Sequence, residues 1–282
     1  MGNSLSSYLT DFHVELGPIV ETENGKFLGK SFNFHNGRRV NAFLGVPFAG
    51  VGTYQDRFKK PLPPIKCSKP KDCREFGPRS IQGDLIWDRL ITNVPQSESK
   101  CLNMCIFTPD WKNDEFPNGR PVMVFLHGGG YLIHSAANYG DWNICRNLCL
   151  HDVVVCTIQY RLGMLGFLSS GDEKCPGNFG LWDQAAAFRW IRANIAAFGG
   201  NPTNVTAFGQ SAGGASLDFL SISPLNDAWF DRVILMGGNG CTDWAMATPE
   251  TTQNAAKKLL KRNGFCGTHD LVFVIIAYNR NK

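Results

Sequence analysis

Short apolar runs from residue 104 onward constrain the fold of this chain more than any other feature. These runs occupy residues 104–108, 122–126, 153–158, 205–208 and 233–236. Strands that are apolar on both faces suit a mostly parallel sheet covered by helices. Residues 180–197, between two of these runs, carry apolar side chains at the three- to four-residue spacing of a helix. This alternation predicts an α/β fold with a mostly parallel central sheet flanked by helices, and residues 14–50 predict a short antiparallel start.

The composition supports a folded core and argues against one class of partner. Hydrophobic residues make up 43% of the 282 residues and charged residues 18%, which excludes a disordered chain. The 28 Lys and Arg are scattered, and their densest patches are residues 59–60 and 257–262. A nucleic-acid footprint needs a basic stripe on one face, so we expect no nucleic acid among the main partners.

The sequence Gly209-Gln210-Ser211-Ala212-Gly213 directly follows the apolar run 205–208 and precedes a further apolar stretch. G-x-S-x-G between a strand and a helix is typical of the nucleophile elbow, a strained turn that raises the serine hydroxyl above the sheet. Many glycine-rich loops contain the five letters by chance, so the strand before them carries the argument. We expect Ser211 to be a catalytic nucleophile.

A second glycine motif, residues 127–130 with the sequence His-Gly-Gly-Gly, ends the apolar run 122–126. Consecutive glycines leave backbone N–H groups unshielded, as an oxyanion hole requires. The alternative is a phosphate-binding loop, but the Lys-Ser/Thr ending of a P-loop is missing. Together, the two motifs indicate acyl transfer to a serine.

Residues 198–214 match the long active-site motif of type-B carboxylesterases at nearly every position, and the chain resembles this cholinesterase-related branch of the α/β hydrolases. Further matching blocks extend to about residue 240; they are residues 43–49, 57–61, 160–163, 166–168 and 177–184. The resemblance implies the α/β-hydrolase fold and hydrolysis of small-molecule carboxylic esters through a serine acyl-enzyme. By the same resemblance Ser211 is the nucleophile, and Gly129, Gly130 and Ala212 supply the N–H donors of the oxyanion hole.

The resemblance is incomplete after the nucleophile. The family order is Ser, then Glu or Asp, then His, and the acid and His would lie beyond the 71 residues that follow Ser211. The only later histidine, His269, lies in a tail that no longer resembles the family and is interpreted as a tail histidine. The C-terminal part of the fold is therefore expected to be missing, leaving an exposed sheet edge. A catalytically inactive esterase-fold protein remains the alternative function.

Two other positions depart from the family pattern. Gln210 stands where the family usually has Glu, which predicts the loss of a buried carboxylate contact. The family's first disulfide would join positions 80 and 101, but Ser80 faces Cys101 in that pairing, so the bridge cannot form. We expect the ten cysteines to be mostly reduced thiols, and their spacing lacks the paired C-x-x-C of a zinc site. Neither a metal nor a cofactor is expected.

The N-terminus and the C-terminus each carry one further signal. Residues 1–6, Met-Gly-Asn-Ser-Leu-Ser, fit the N-myristoylation pattern with Gly2 as acceptor; the alternative is that Gly2 is simply a small residue after the initiator Met. No secretory signal or transmembrane stretch is recognised, so we expect a cytoplasmic protein with at most weak membrane association through the lipid. We divide the chain into an N-terminal segment (1–13), the N-terminal part of a carboxylesterase domain (14–263) and a divergent tail (264–282).

Overall fold

One sheet of nine strands organises the part of the chain described by this computed structural model, namely residues 12–53, 56–66, 68–84, 93–225 and 229–262. The strands, in chain order, are β1 (Phe12–Thr22), β2 (Gly25–Phe34), β3 (Arg39–Pro47), β4 (Lys71–Asp72), β5 (Asn103–Pro109), β6 (Arg120–Leu126), β7 (Val154–Ile158), β8 (Gly200–Gln210) and β9 (Arg232–Met236). Their order across the sheet is β1-β2-β3-β5-β7-β6-β8-β9, with β4 beside β2.

The direction of the strands changes across the sheet. The pairs from β1 to β7 along this order are antiparallel, whereas β6, β7, β8 and β9 run parallel to one another. A two-residue turn joins β1 to β2, but parallel neighbours need crossover connections, and helices supply them here. The predicted α/β class and antiparallel start are confirmed, and the sheet is mixed. Its parallel pairs are those among β6–β9 and the short pair between β2 and the two-residue β4.

Five α-helices lie within the described residues. They are α1 (Trp142–Asn147), α2 (Gly163–Phe167), α3 (Phe179–Asn194), α4 (Ala212–Ile222) and α5 (Pro249–Arg262). The helix predicted over residues 180–197 is confirmed as α3, whose last turn continues as a 3₁₀ helix over Ile195–Phe198. Gly199 then ends it at φ 77°, a left-handed conformation that a residue without Cβ adopts at little cost.

Two apolar clusters cover the two faces of the sheet. Neighbouring residues of β7 point into different clusters, because side chains alternate along a strand. Cys156 packs in the cluster that contains Phe188 of α3 and Leu217 of α4. Val155 packs in the cluster that contains Ile144 of α1. The central strands are therefore buried on both faces, as their continuous apolar sequences predict.

The last strand departs from that prediction. All five residues of β9 are exposed, and its four apolar side chains, Val233 to Met236, are 36–45% exposed. Burial between helical layers was therefore the wrong prediction for residues 233–236. The physical reason is that β9 is the edge of the sheet in the described part of the chain and pairs there with β8 alone. Within the described ranges β9 is thus an exposed edge, and the absence of a C-terminal part of the fold stays a prediction.

A buried ion pair ties the segment after β7 to α3. The Arg161 guanidinium donates to both carboxylate oxygens of Asp183, at 2.8 and 2.7 Å, and the Arg161 backbone N–H donates to the same group at 3.0 Å. The guanidinium also donates to the carbonyl oxygens of Arg57 and Lys59. Because nearly every N–H group of this side chain has an acceptor, the pair holds three segments together beyond the carboxyl end of β7.

Candidate active site

Ser211 occupies the single residue between the end of β8 and the start of α4. Its backbone has φ 54° and ψ −124°, a conformation that residues with a Cβ rarely adopt. Its N–H donates to the carbonyl oxygen of Met236 on β9 at 2.8 Å, and its own carbonyl oxygen accepts from Ala215 in α4 at 3.0 Å. These bonds hold the strained turn at the carboxyl end of the parallel strands, where the chain reverses sharply.

Glycines allow the helix and the strands to meet at this turn. A Cβ on Gly209 would lie 2.5 Å from the carbonyl carbon of Gly213, and one on Gly213 would lie 2.8 Å from the carbonyl carbon of Leu126 at the end of β6. Both contacts are with backbone, which cannot move away as a flexible side chain could. The two glycines of the G-x-S-x-G motif are therefore required by the close approach of α4 to β8 and β6.

The glycine turn after β6 packs directly against the serine. A Cβ on Gly128 would lie 3.0 Å from the Cβ of Ser211. Gly129 and Gly130 have φ values of 103° and 60°, and the Gly129 carbonyl oxygen accepts from the N–H groups of Leu132 and Ile133. Within the described ranges, nothing accepts a hydrogen bond from the N–H of Gly129 or Gly130.

Ala212 completes the set of residues predicted for the oxyanion hole. It is buried and is the first residue of α4, where backbone N–H groups have no partner inside the helix. The structure thus brings Ser211, Ala212 and the glycine turn together at the carboxyl ends of β6 and β8. The N-terminus of α4 also favours negative charge at this point.

Gly238 is a residue of this site that the sequence interpretation missed. A Cβ on it would lie 2.7 Å from the carbonyl carbon of Ser211 and 3.0 Å from its Cα, so the chain after β9 passes immediately beside the serine backbone. The available signal was the glycine pair at positions 237–238, because it directly follows an apolar run that ends at the same edge of the sheet.

His127 begins the glycine turn but is buried in a structural role. Its ring stacks on Tyr160 with 4.5 Å between ring centroids, and Nδ1 lies 2.9 Å from the carbonyl oxygen of Gly128. In the described part of the chain Nε2 has no hydrogen-bond partner, so it does not contact the Ser211 hydroxyl. Burial lowers the pKa of His127 to about 3. The imidazole is therefore neutral at physiological pH and a very weak proton acceptor.

The side chain of Gln82 holds the loop after the glycine turn through two hydrogen bonds to the backbone of His134. The side-chain amide of Gln82 accepts from the His134 N–H at 2.6 Å and donates to the His134 carbonyl oxygen at 2.9 Å. The His134 ring nitrogens face Asn138 at 2.6 Å and the Tyr139 hydroxyl at 3.4 Å. Both ring nitrogens of His134 therefore have hydrogen-bonding partners within the same loop.

Gln210, expected to replace a buried carboxylate, is exposed. Its side chain lines an open apolar groove of about 340 Å³ together with Phe125, Phe208 and Met236. The side chain therefore lies at the open face of the sheet, and the loss of the family's carboxylate contact at this position stays a prediction.

The cysteines in the described residues are free thiols, and all except Cys241 are buried. Cys101 lies against Ser80, as the disulfide correspondence implied, and burial raises the pKa of Cys101 to about 12. Burial also raises the pKa of Cys105, to about 11. These thiols remain protonated at physiological pH, which makes them poor nucleophiles and poor metal ligands.

Some predictions concern residues outside the described ranges, namely Gly2, His269 and the tail 264–282. Over the ranges that are described, no group of three or more His, Cys, Asp or Glu side chains could hold a metal ion. No helix in those ranges is long and apolar enough to cross a membrane.

A mixed sheet whose parallel strands end at a strained serine and a glycine-rich turn is the α/β-hydrolase arrangement. A solved structure with the same fold is juvenile hormone esterase from Manduca sexta with OTFP covalently attached. The TM-score is 0.81 and the sequence identity 33%, and the match covers 92% of this chain and 48% of that one.

The comparison of sequences gives the family. The carboxylesterase family model matches residues 17–279. The chain is 39% identical over 268 residues to esterase cest-33 of Caenorhabditis elegans, which covers 95% of this chain and 48% of that protein. It is 43% identical over 235 residues to carboxylesterase 1D of Mus musculus, and this match covers 80% of this chain and 40% of that protein. The chain belongs to the carboxylesterase family and spans about half the length of the curated relatives it matches.

Proposed function

We propose that the protein is a carboxylic ester hydrolase that works through a serine acyl-enzyme, with Ser211 as the nucleophile. The observation that carries this proposal is the strained backbone of Ser211 at the β8–α4 turn, directly against Gly128. Strain of this kind costs free energy and persists where the surrounding structure enforces it, which is characteristic of functional positions. Small-molecule esters are the proposed substrates.

The proposed oxyanion hole consists of the N–H groups of Gly129, Gly130 and Ala212. Attack of the Ser211 hydroxyl oxygen on an ester carbonyl carbon would place a negative charge on the carbonyl oxygen. Within the described ranges the N–H groups of Gly129 and Gly130 have no protein acceptor, so they are free to donate to that oxygen. Preorganised donors of this type lower the barrier because they need no rearrangement when the charge develops.

The remaining chemistry follows from the acyl-enzyme route. The Ser211 proton passes to a general base, the carbon–oxygen bond to the alcohol breaks, and the alcohol leaves with a proton. Water then attacks the acyl group, releasing the carboxylic acid and restoring the serine hydroxyl. His127 does not supply the base, because it is buried, neutral and not bonded to Ser211.

The second candidate is a catalytically inactive protein with the esterase fold. It is favoured by the two histidines of the described glycine-turn region, since His127 is buried and both ring nitrogens of His134 face residues of their own loop. A serine without an activating base reacts several orders of magnitude more slowly.

Hydrolysis of 4-nitrophenyl acetate by the 282-residue chain distinguishes the two candidates. We expect turnover above the buffer rate, Ser211→Ala at the buffer rate, and the exposed Ser99→Ala at the wild-type rate. Turnover that survives in Ser211→Ala would exclude this nucleophile. A folded wild-type chain with no turnover would support the inactive alternative.

We also propose that Gly2 accepts an N-myristoyl group and that the protein is cytoplasmic with weak membrane association. The support is the motif of residues 1–6, and one myristoyl chain gives only a marginal, reversible membrane affinity. Co-expression with an N-myristoyltransferase and an alkyne-tagged myristate should label the wild-type chain. Gly2→Ala should remain unlabelled, and equal labelling of both would contradict the assignment.

A further inference from the structure

Helix α5 is attached to the domain along one side. Ala256 is 2% exposed and packs in a small apolar cluster with Phe58, Leu168, Cys175 and Phe179. The side-chain amide of Gln253, one turn earlier, donates to the carbonyl oxygen of Ser170 at 2.9 Å. These contacts fix which side of the helix faces the protein and which faces outward.

The outward side of α5 carries a cluster of cations, which we call the basic face. It consists of Lys257, Lys258, Lys261 and Arg262, all of them exposed. Positions three and four apart lie above one another on a helix, so these residues share one surface over the last two turns. The helix has 14 residues and is about 21 Å long, so the cluster occupies its C-terminal half.

The basic face carries four positive charges, a number equal to the net charge of the whole chain. The chain has 28 Lys and Arg against 24 Asp and Glu, so removal of these four cations leaves 24 of each. No carboxylate of the described ranges lies within 4 Å of any of the four. Asp172, on the loop beneath α5, instead accepts from the Ser170 hydroxyl and the Lys174 N–H.

Stabilisation of the helix explains only part of this cluster. Cations in the last turn interact favourably with the helix dipole, and Lys261 and Arg262 occupy that turn. The effect falls off within one turn, so it does not extend to Lys258. Lys257, at the border of the basic face, donates to the side-chain oxygen of Gln253 at 3.2 Å. Four like charges on one surface, without a carboxylate of the described ranges beside them, repel one another, and an external anionic partner would remove that repulsion.

We infer that the basic face of α5 docks on anionic phospholipid headgroups at a membrane surface. Clusters of four or more Lys and Arg on an amphipathic helix are of the size that recognises anionic lipids, and each cation adds about five-fold to the partition coefficient. Exposed cations on one helix surface suit a fluid layer of headgroups, which needs no defined pocket. The inference is independent of the esterase proposal, since it involves none of the residues at Ser211.

The basic face would also supply the second signal that a lipid anchor at Gly2 requires. One acyl chain binds membranes only marginally, whereas an acyl chain with a polybasic patch gives stable anchoring.

Vesicle co-sedimentation of the unmodified 282-residue chain tests the inference without the acyl group. We expect binding to vesicles of equal parts phosphatidylcholine and phosphatidylserine, and little binding to phosphatidylcholine alone. Binding should weaken as salt rises from low to physiological concentration, because mobile ions screen the attraction. Equal binding to both vesicle types would overturn the inference and indicate apolar adsorption.

Paired substitutions locate the contact. Lys258→Gln with Lys261→Gln should lower the partition coefficient about 25-fold, and the corresponding double Arg variant should retain wild-type binding. The matched control is Lys26→Gln with Lys112→Gln, which removes the same charge from exposed lysines paired with Glu21 and Asp114. The control should stay within about three-fold of wild type.

Two results would overturn the inference, with circular dichroism verifying that each variant is folded. The first is an equal loss of binding in the α5 variant and the control, which would indicate a net-charge effect. The second is tighter binding to single-stranded RNA than to the vesicles at equal phosphate concentration, which would assign the face to a nucleic acid.

Discussion

Burial of a neutral histidine at the glycine turn should make the fold sensitive to mild acid. The pKa of His127 is lowered by burial to about 3, whereas an unfolded histidine titrates near its ordinary value of 6.5. Below pH 6.5 the unfolded chain therefore binds a proton that the folded chain does not bind. The stabilising contribution is fully present above pH 6.5 and is lost as the pH falls towards 3.

The size of the effect follows from this difference. Each pH unit within the window costs about 1.4 kcal/mol of the free energy of unfolding, so the loss is about 2 kcal/mol between pH 6.5 and 5. Extended to pH 3, it amounts to about 5 kcal/mol. The interval between pH 6.5 and 5 isolates the histidine contribution best, because most carboxylates titrate at lower pH.

Urea unfolding at pH 6.5 and pH 5, followed by circular dichroism, measures this contribution. His127→Asn keeps a side-chain nitrogen near the position of Nδ1 but does not titrate, so it should lose about 2 kcal/mol less than wild type over the same interval. His151→Asn, at an exposed histidine, is the control and should keep the wild-type slope. If His127→Asn kept the wild-type slope as well, the burial argument would be refuted.

Three further outcomes follow from burial and exposure elsewhere in the fold. Asp183→Asn should lower the free energy of unfolding by about 3–5 kcal/mol in the same urea titration, since it leaves a buried guanidinium without its counter-charge. Asp110→Asn, at an exposed pair, should change it by less than about 1 kcal/mol, and equal effects would contradict this account. Iodoacetamide should alkylate Cys241 in the folded protein but spare the buried Cys156 until urea is added, and peptide mapping would detect early labelling of the latter. Ile234→Lys should raise the monomer fraction in size-exclusion chromatography, because a charge on the exposed edge strand opposes pairing between copies; an unchanged elution profile would count against it.

Local sequence patterns were sufficient for the elements around the serine. The apolar run 205–208 lies within β8, and the spacing of apolar residues over 180–197 corresponds to α3 and its final 3₁₀ turn. Both signals arise inside one element, where side-chain periodicity alone decides which surface can be buried. The glycine motifs gave the position of the turns for a similar reason, since only glycine tolerates such close backbone approach.

Local sequence patterns could not predict features that depend on residues far away in the chain. The sequence of β9 resembles that of a central strand, but its exposure is set by how many strands lie beside it. The clamp between Gln82 and His134 joins residues 52 positions apart, and neither residue carries a local signal for it. The deep burial of His127 depends likewise on Tyr160, which stacks against its ring from the segment after β7.

The central claim is that Ser211 is an activated nucleophile, and fluorophosphonate labelling tests it most directly. The 282-residue chain, verified as folded by circular dichroism, would be treated with the probe and digested, and the modified residue identified by mass spectrometry. An activated Ser211 should carry a covalent phosphonyl group, and the Ser211→Ala variant should remain unlabelled. A folded protein that remains unlabelled at Ser211, or is labelled at another serine, would contradict it.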